Sequence, residues 1–366
     1  MKLHRIALNG FRNYEWETAE FDAGTNVITG RNAQGKTNLL EAVSMLSTGR
    51  SFRTRFDREL IGFDYSEAEI LAEVASHGRD QTVQIRMRAG APKKITVNAV
   101  RKTASELSET VNTVLFCPDD LNLIKEGAAG RRRLMDNAIS QIRPKYAEIL
   151  SEYNRLYEHK SRILKDWREK PSLLEVLDEF SDGMCRASAQ LIRYRASFAA
   201  RLCEAAAPIH ADFSGLGERL ELRYVTVSTV TDPTASAREI YYALCEHQEK
   251  HRQAELDSGQ CLSGAHKDDL EIFINGRNAR SFASQGQTRT AALSVKLAER
   301  EIFLNETGEY PILLLDDVLS ELDSRRQEFV LNRMTGGQTL ITCCEDEGIS
   351  QRTGGKVLFV DGGKIR

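Results

Sequence analysis

Hydrophobic and polar residues alternate in the first third of the chain. Apolar and polar positions take turns over residues 70–74, 83–87 and 94–97, the pattern of strands that are buried on one face. Residues 26–29 form a shorter, buried strand, and residues 38–43 are good helix formers without a breaker. The pattern therefore predicts a strand-rich start that contains one helix.

In the middle of the chain the apolar residues have the periodicity of helices. Residues 144–207 are nearly free of glycine, and apolar residues recur every three or four positions on both sides of Pro171, with Lys160 as an interruption. This heptad spacing predicts two helices that form a short antiparallel coiled-coil hairpin around Pro171. Two amphipathic helices packed on a globular lobe would show the same spacing and are an equal alternative. A third helix is predicted over residues 235–256.

The last hundred residues return to strands, with a helix at residues 288–304. The strands are predicted at residues 270–274, 312–315, 339–342 and 356–360. Strand-rich ends around a helical middle indicate one discontinuous domain with an insertion. We therefore divide the chain into a lobe of residues 1–115 and 306–366 and a helical lobe of residues 116–305.

Composition and charge mainly exclude certain classes of protein. The 366 residues are 41% hydrophobic and 28% charged, which excludes a disordered or collagen-like chain. No apolar run approaches the roughly 20 residues of a membrane span, and the N-terminus lacks a signal-peptide pattern, so a cytoplasmic protein without a membrane partner is expected. The net charge of −3 restricts any nucleic-acid surface to a local patch. The seven cysteines have no framework spacing and are interpreted as reduced thiols.

One octapeptide carries the first chemical signal, because it fits the pattern G-x-x-x-x-G-K-[ST]. Its glycines let the backbone N–H groups converge on a phosphate. Lys36 would reach the β- and γ-phosphates, and the Thr37 hydroxyl would bind Mg²⁺. A strand before it and a helix after it are the context of a nucleotide-binding loop. This P-loop consists of Gly30, Arg31, Asn32, Ala33, Gln34, Gly35, Lys36 and Thr37.

Two carboxylates at the end of an apolar strand give the second signal. Asp316 and Asp317 follow the apolar residues 311–315. P-loop proteins hold their metal at the carboxyl end of a parallel strand, so Asp316 would hold Mg²⁺ and Asp317 would polarise the attacking water. Alone, such a pair is more often a turn or a helix cap. Together with the P-loop it predicts a site for ATP and Mg²⁺.

A short polar segment precedes the helix predicted at residues 288–304. Free N–H groups, the helix dipole and a hydroxyl at such a position bind anions, although a plain helix cap uses the same residue types. Following the P-loop and preceding the acids, the segment has the order of the signature in ABC-type ATPases. This signature segment consists of Ser284, Gln285, Gly286 and Gln287.

Two clusters of arginines are candidates for binding the DNA backbone. For both clusters the alternative is solvated charge or internal ion pairing. The second cluster is expected in the first turn of a helix, where cations oppose the dipole, and this unfavourable placement favours a phosphate-binding role. The clusters are Arg50, Arg53, Arg55 and Arg58, interleaved with Phe52 and Phe56, and then Arg131, Arg132 and Arg133. His266 lacks a second ligand at metal spacing and is interpreted as a structural or interface residue.

These motifs together resemble the bacterial RecF family of SMC-like ABC-type ATPases, over essentially the whole chain. The resemblance implies an α/β fold, a P-loop ABC-type ATPase head with an inserted helical lobe that carries a short coiled-coil hairpin. It implies a weak DNA-dependent ATPase, converting ATP and water to ADP and phosphate, that acts in recombinational repair and replication restart. The resemblance also rests on three further sequence segments, Gly10-Phe11-Arg12-Asn13-Tyr14, Phe116-Cys117-Pro118-Asp119-Asp120-Leu121 and Ser263-Gly264-Ala265-His266-Lys267-Asp268-Asp269-Leu270.

The resemblance further implies partners and residue roles. An ATP-driven homodimer would clamp double-stranded or gapped DNA and, with RecO and RecR, support recombinase loading. The signature segment would contact the γ-phosphate held by the other subunit, and the loop that ends at Asp323 would cross the dimer interface. Arg12 and Asn13 would approach the nucleotide. Thr342 would stand where many ABC ATPases place a switch histidine.

The sequence departs from the family pattern at a few positions and leaves one alternative class. Ala265 stands where proline is expected, and Lys267 where arginine is expected. Asp317 agrees with the family, although most ABC enzymes have glutamate there, and Thr342 cannot act as a base, so slow hydrolysis is expected. An ABC-transporter ATPase subunit would share the nucleotide motifs, but it needs neither the hairpin nor the arginine clusters. A small-molecule P-loop kinase would need no signature segment.

Overall fold

The computed structural model describes residues 1–215, 217–344 and 348–366. It divides into two compact units, unit 1 formed by Met1–Asn122 with Arg289–Arg366 and unit 2 formed by Leu123–Thr288. The sequence predicted these boundaries after residues 115 and 305. Residues 289–305 belong to unit 1 because their helix packs there. Arg300, for example, donates to carbonyl oxygens of residues 333–335.

The secondary structure changes from strands to helices and back to strands. In chain order the strands are β1 (Lys2–Phe11), β2 (Tyr14–Glu20), β3 (Thr25–Thr29), β4 (Glu67–Ser76), β5 (Arg79–Arg88), β6 (Ala91–Val97), β7 (Val100–Lys102), β8 (Thr113–Phe116), β9 (Leu220–Val225), β10 (Asp269–Ile274), β11 (Arg277–Asn278), β12 (Ile312–Asp316), β13 (Thr339–Cys343), β14 (Lys356–Asp361) and β15 (Lys364–Ile365). The α-helices are α1 (Lys36–Thr48), α2 (Ala128–Ile142), α3 (Pro144–Asp166), α4 (Leu177–Ser214), α5 (Ala237–Ser258), α6 (Ala279–Phe282), α7 (Gln285–Thr307), α8 (Ser324–Asn332) and α9 (Ile349–Thr353).

Unit 1 contains two six-stranded sheets. The first is antiparallel, in the order β2-β1-β4-β5-β6-β7, and the second has the order β15-β14-β3-β13-β12-β8. In the second sheet all pairs are parallel except β14 with β15. Residues 39–47 of α1 are all buried, and the apolar ones share a single core with side chains of both sheets. This complete burial explains why α1 carries no polar stripe.

The register of the parallel sheet brings three chain segments together. Strand β13 lies between β3 and β12, so that Thr342 is opposite Ile28 on one side and Asp316 on the other. The P-loop follows β3, and the acid pair ends β12. Ligand sites of open parallel sheets lie at the carboxyl ends of the strands. The fold therefore places the P-loop and the two acids at one edge, on either side of β13.

Unit 2 combines helices with the antiparallel sheet β11-β10-β9. Helices α3 and α4 pack against each other on either side of a 3₁₀ turn at Pro171–Val176. Helix α4 also packs against α5 and β9. The hairpin is therefore present, but its longer helix is at the same time part of a globular lobe. Among the described residues, no helix is long and apolar enough to cross a membrane.

The interruption at Lys160 marks the contact between the hairpin and the third helix. The Lys160 side chain is fully buried, and its Nζ atom lies 2.7 Å from Glu255 Oε2 and donates to Gln248 Oε1 at 2.6 Å. Both partners lie on α5. A buried charge is stable only when it is paired, so this lysine has to face α5 rather than solvent.

Candidate nucleotide and nucleic-acid sites

Two glycines set the course of the P-loop backbone. Gly30 has φ 152°, and a Cβ atom there would lie 2.1 Å from the carbonyl oxygen of Val360. Gly35 has φ 122°, and a Cβ atom there would lie 2.8 Å from Asn13 Nδ2. Any side chain would therefore collide with neighbouring groups at both positions. The glycines of the motif are required by the geometry of unit 1 itself.

The lysine of the P-loop is held by hydrogen bonds to backbone atoms of the same loop. Lys36 Nζ donates to the carbonyl oxygens of Gly30, at 2.6 Å, and Arg31, at 3.0 Å. The residue is only 5% exposed. Its ammonium group thus already lies over the loop whose backbone would surround a phosphate. A role for this cation on the β- and γ-phosphates stays a prediction.

The first acid of the pair is joined to two hydroxyl groups. Asp316 Oδ1 accepts hydrogen bonds from the Thr37 and Thr342 hydroxyls, each at 2.9 Å. Burial raises the pKa of Asp316 above its ordinary value, and the two hydrogen bonds act in the opposite direction. A carboxylate and a threonine hydroxyl are hard oxygen donors of the kind that Mg²⁺ prefers. Thr37 and Asp316 therefore fit the predicted metal site.

The second acid lies in an unusual backbone conformation next to an unexpected thiol. Asp317 has φ 55°, in the left-handed region that aspartate tolerates better than most residues. Its backbone N–H donates to Thr342 Oγ1 at 2.9 Å. Both of its carboxylate oxygens lie 4.0 Å from Cys344 Sγ. That thiol also donates to Asn32 Oδ1 of the P-loop at 2.8 Å.

Cys344 is a site residue that the sequence analysis missed, since it treated the cysteines only as packed thiols. Thr342 is buried and supports Asp316 and the backbone of Asp317, whereas the exposed Cys344 contacts both the P-loop and the Asp317 carboxylate. The available signal was its place directly after β13, at the carboxyl end of a parallel strand, where ligand sites lie. A switch role for Thr342 remains a prediction.

Arg12 and Asn13 lie beside the P-loop and its helix. The Arg12 guanidinium forms a bidentate pair with the buried Glu41 of α1, at 2.7 and 2.9 Å. Asn13 Nδ2 donates to the carbonyl oxygen of Gln34 at 2.8 Å, and Asn13 Oδ1 accepts from Asn38. Asn13 therefore stabilises the loop itself. Arg12 neutralises the charge of Glu41 next to it.

Arg53 of the first arginine cluster also contacts α1 beside the P-loop. Its guanidinium donates to Asn38 Oδ1 at 2.6 Å and lies 3.5 Å from Glu41 Oε2. All four arginines of the first cluster are exposed, and Arg58 lies over the exposed Phe56 ring at 5.2 Å. Contacts to DNA from this cluster stay a prediction for Arg50, Arg53, Arg55 and Arg58.

The second cluster requires a correction at Arg131. Helix α2 begins at Ala128, so the three arginines lie one turn further along the helix than predicted. Arg131 is 3% exposed and forms a bidentate pair with Asp269, at 2.6 and 2.8 Å. Internal ion pairing, the alternative weighed above, therefore accounts for Arg131. Arg132 is partly buried and donates to the Asp268 carbonyl, whereas Arg133 is exposed.

The signature segment forms a reciprocal helix cap at the start of α7. Ser284 Oγ accepts from the Gln287 N–H at 3.2 Å, and Gln287 Oε1 accepts from the Ser284 N–H at 2.9 Å. This is a capping box with glutamine in the third position. Ser284 and Gln285 are exposed, and Gln287 Nε2 also donates to Glu218. The cap is thus observed, and the anion-binding role of these residues stays a prediction.

Asp323 and His266 both have structural partners. Asp323 caps α8 by accepting from the Arg326 N–H at 3.0 Å, and this bond holds the pKa of its carboxyl below the ordinary value. His266 lies 2.7 Å from the Tyr153 hydroxyl and 2.9 Å from the Cys261 carbonyl oxygen, and burial lowers its pKa to about 4. Where the structure describes the chain, no group of three or more His, Cys, Asp or Glu could hold a metal ion.

Comparison with known proteins first defines the class of protein. The family model for the RecF/RecN/SMC N terminal domain matches residues 2–358. One similar structure is the Smc head domain of Pyrococcus furiosus, solved with an extended coiled coil and bound to the C-terminal domain of ScpA. The superposition has a TM-score of 0.56 at 17% identity and covers 100% of this chain and 95% of the Smc chain. The fold is that of an SMC-like ATPase head.

Closer relatives then define the family. The DNA replication and repair protein RecF of Acetivibrio thermocellus is 37% identical over 98% of each chain, and RecF of Bacillus subtilis is 38% identical over 96% of each. The solved structure of the recombination mediator protein RecF-ATP in the RecFOR pathway has a TM-score of 0.90 at 33% identity, covering 100% of this chain and 96% of that one. The chain belongs to the RecF family.

Proposed function

We propose that this protein is an ATP-dependent DNA-binding protein of recombinational repair and replication restart. The observation that carries the proposal is the arrangement of Lys36, Thr37 and Asp316 around the P-loop, within a chain of the RecF family. A relative solved as RecF-ATP supports ATP as the ligand. Work on the bacterial chromosome would place the protein in the cytoplasm.

We assign the steps of ATP use to residues of unit 1. The P-loop N–H groups and Lys36 would bind the β- and γ-phosphates, and Thr37 with Asp316 would hold Mg²⁺. Bound Mg²⁺ would neutralise the charge that develops on the phosphates. Asp317 would orient and polarise the attacking water. Because its carboxylate is one methylene shorter than glutamate and no histidine follows β13 among the described residues, we expect slow, DNA-dependent hydrolysis.

The proposed assembly is a homodimer with two composite ATP sites. Each signature segment would meet the nucleotide on the P-loop of the partner, since closed two-fold dimers use the same pair of surfaces twice. ATP binding would close this dimer on double-stranded DNA at gaps, and hydrolysis would reset it. RecR, together with RecO, would receive the loaded complex for recombinase loading. The proposed DNA contacts are Arg50, Arg53, Arg55, Arg58, Arg132 and Arg133.

The test of this proposal is binding to gapped and blunt duplex DNA with and without ATP. We expect tighter binding with ATP, a preference for the gapped duplex, and a higher rate of ATP hydrolysis when DNA is present. Phosphate contacts release counterions, so raising the salt concentration should weaken the binding. Absence of any effect of DNA on hydrolysis would instead favour the transporter-type ATPase.

Replacing Asp317 with asparagine should separate ATP binding from hydrolysis. Asp316 and Thr37 keep the metal site, so ATP binding and dimer formation should persist. The water loses the group that polarises it, and hydrolysis should fall by about 10²- to 10⁴-fold, with the dimer trapped on DNA. Phosphate release and DNA dissociation rates measure the two effects. Asp80→Asn, at a carboxylate that is 91% exposed, is the control. A turnover within threefold of the unchanged protein would exclude Asp317 from this role.

A further inference from the structure

The turn that leads into the signature segment is held by a single lysine. Lys125 Nζ donates to the carbonyl oxygens of Arg280, at 3.1 Å, and Ala283, at 2.9 Å. Ala283 lies directly between the end of α6 and Ser284. Hydrogen bonds from an ammonium group are stronger than those between neutral groups. The peptide that precedes Ser284 is therefore fixed from outside its own helix.

The loop that carries Lys125 is itself fixed by the buried Arg131. Arg131 Nη1 donates to the carbonyl oxygens of Leu123 at 2.8 Å and Glu126 at 2.9 Å, on both sides of Lys125. The rest of the guanidinium is bound to Asp269. A connected set of contacts thus runs from Asp269 through Arg131 and Lys125 to Ala283, entirely within unit 2.

We propose that Lys125 is a positioning residue, which orients the signature segment before the partner's nucleotide arrives. The inference rests on the proposed role of that segment in the dimer. The capping box between Ser284 and Gln287 binds the N–H of the Ala283–Ser284 peptide that enters α7, but it does not bind the carbonyl oxygen of that peptide. Lys125 supplies this second restraint, by donating to the carbonyl oxygens of Ala283 and Arg280. Preorganised N–H groups lose less conformational freedom when an anion binds, so the composite site assembles more readily.

The first test measures the segment in the nucleotide-free protein. Lys125→Met keeps a side chain of similar length and removes the ammonium group, and Lys145→Met removes an exposed lysine whose partner is the exposed Glu148. Hydrogen exchange of the amides of residues 284–288 should become about tenfold faster in Lys125→Met, since two charge-assisted bonds are lost. The control should leave it unchanged. Unchanged exchange in Lys125→Met would overturn the proposal.

The second test measures the consequence for assembly. Sedimentation with ATP should show a dimer dissociation constant about tenfold higher for Lys125→Met, while nucleotide affinity measured below the dimerisation range stays within twofold. Lys125→Arg, which keeps the charge, should restore most of the dimerisation. If Lys125→Met does not dimerise less well, the proposal is wrong. If Ser284→Arg also dimerises normally, the proposed role of the whole segment fails, which separates the two causes.

Discussion

Replacing Lys36 with alanine is expected to weaken ATP binding about a hundredfold or more, because each hydrogen bond to a charged group contributes about 1.5–3 kcal/mol and the ammonium would make more than one. The same ammonium binds the carbonyl oxygens of Gly30 and Arg31, so the variant loop also loses this internal restraint. Dimer formation and DNA binding should be lost together with the nucleotide. Titration with ATP and sedimentation in its presence measure both effects.

Lys94→Ala is the matched control for this change. Lys94 is an exposed lysine of the same unit, outside the P-loop, so ATP affinity and assembly should stay unchanged. Circular dichroism separates a loss of binding from a loss of folding. A Lys36→Ala protein that still dimerises on addition of ATP would show that nucleotide and assembly are not linked.

Replacing Ser284 with arginine should abolish ATP-dependent dimerisation and leave ATP binding by the monomer nearly unchanged. The signature segment and the P-loop belong to different compact units, and the proposed contact is made across two subunits. An arginine would collide there with the partner's P-loop. Part of the loss of dimerisation would have another cause, because removing the Ser284 cap destabilises α7 by about 1 kcal/mol.

Ser236→Arg separates the two effects. Ser236 is the N-cap of α5 and forms the same kind of reciprocal capping box, with Glu239. Its replacement therefore costs a similar amount of stability without touching the signature segment, and dimerisation should be preserved. Thermal unfolding should show that the two variants are destabilised alike, and sedimentation with ATP then compares their assembly.

A mixture of Ser284→Arg with Lys36→Ala should recover part of the dimer. The Lys36→Ala subunit still carries an intact signature segment, and the Ser284→Arg subunit still carries an intact P-loop. Their mixed dimer holds one complete composite site, whereas each variant alone holds none. If Ser284→Arg instead weakens nucleotide binding in the monomer, the segment acts within its own subunit and the dimer model is wrong.

The nucleotide site could be predicted from the sequence because its determinants are local. The positive φ angles of Gly30 and Gly35, the helix that begins at Lys36 and the acids at the end of an apolar strand are all short-range patterns. Parallel pairing then brings Thr37 and Asp316, 279 residues apart, to within 2.9 Å. That approach was predictable because the carboxyl ends of parallel strands lie at one edge of the sheet, although β13 separates the two strands here.

The fate of individual charged and thiol side chains could not be predicted in the same way. Arg131, in a run of three arginines, resembles a DNA contact, and only the approach of Asp269, 138 residues further along the chain, shows that it is buried in an ion pair. Lys160 was an unexplained break until α5 placed Glu255 beside it. Cys344 became a site residue only through Asn32, 312 residues away.

The sequence by itself therefore determined the class of fold, the P-loop, the acid pair and the helical insertion. These follow from hydrophobic periodicity and from backbone geometry, which a few consecutive residues specify. The tertiary structure alone decided which arginines are buried, how Lys125 reaches the turn before the signature segment and which groups surround Asp317. Such outcomes depend on charges and polar groups that meet across distant parts of the chain. The free energy of burying such a group depends on the residue that pairs with it, and the local sequence does not show which residue that is.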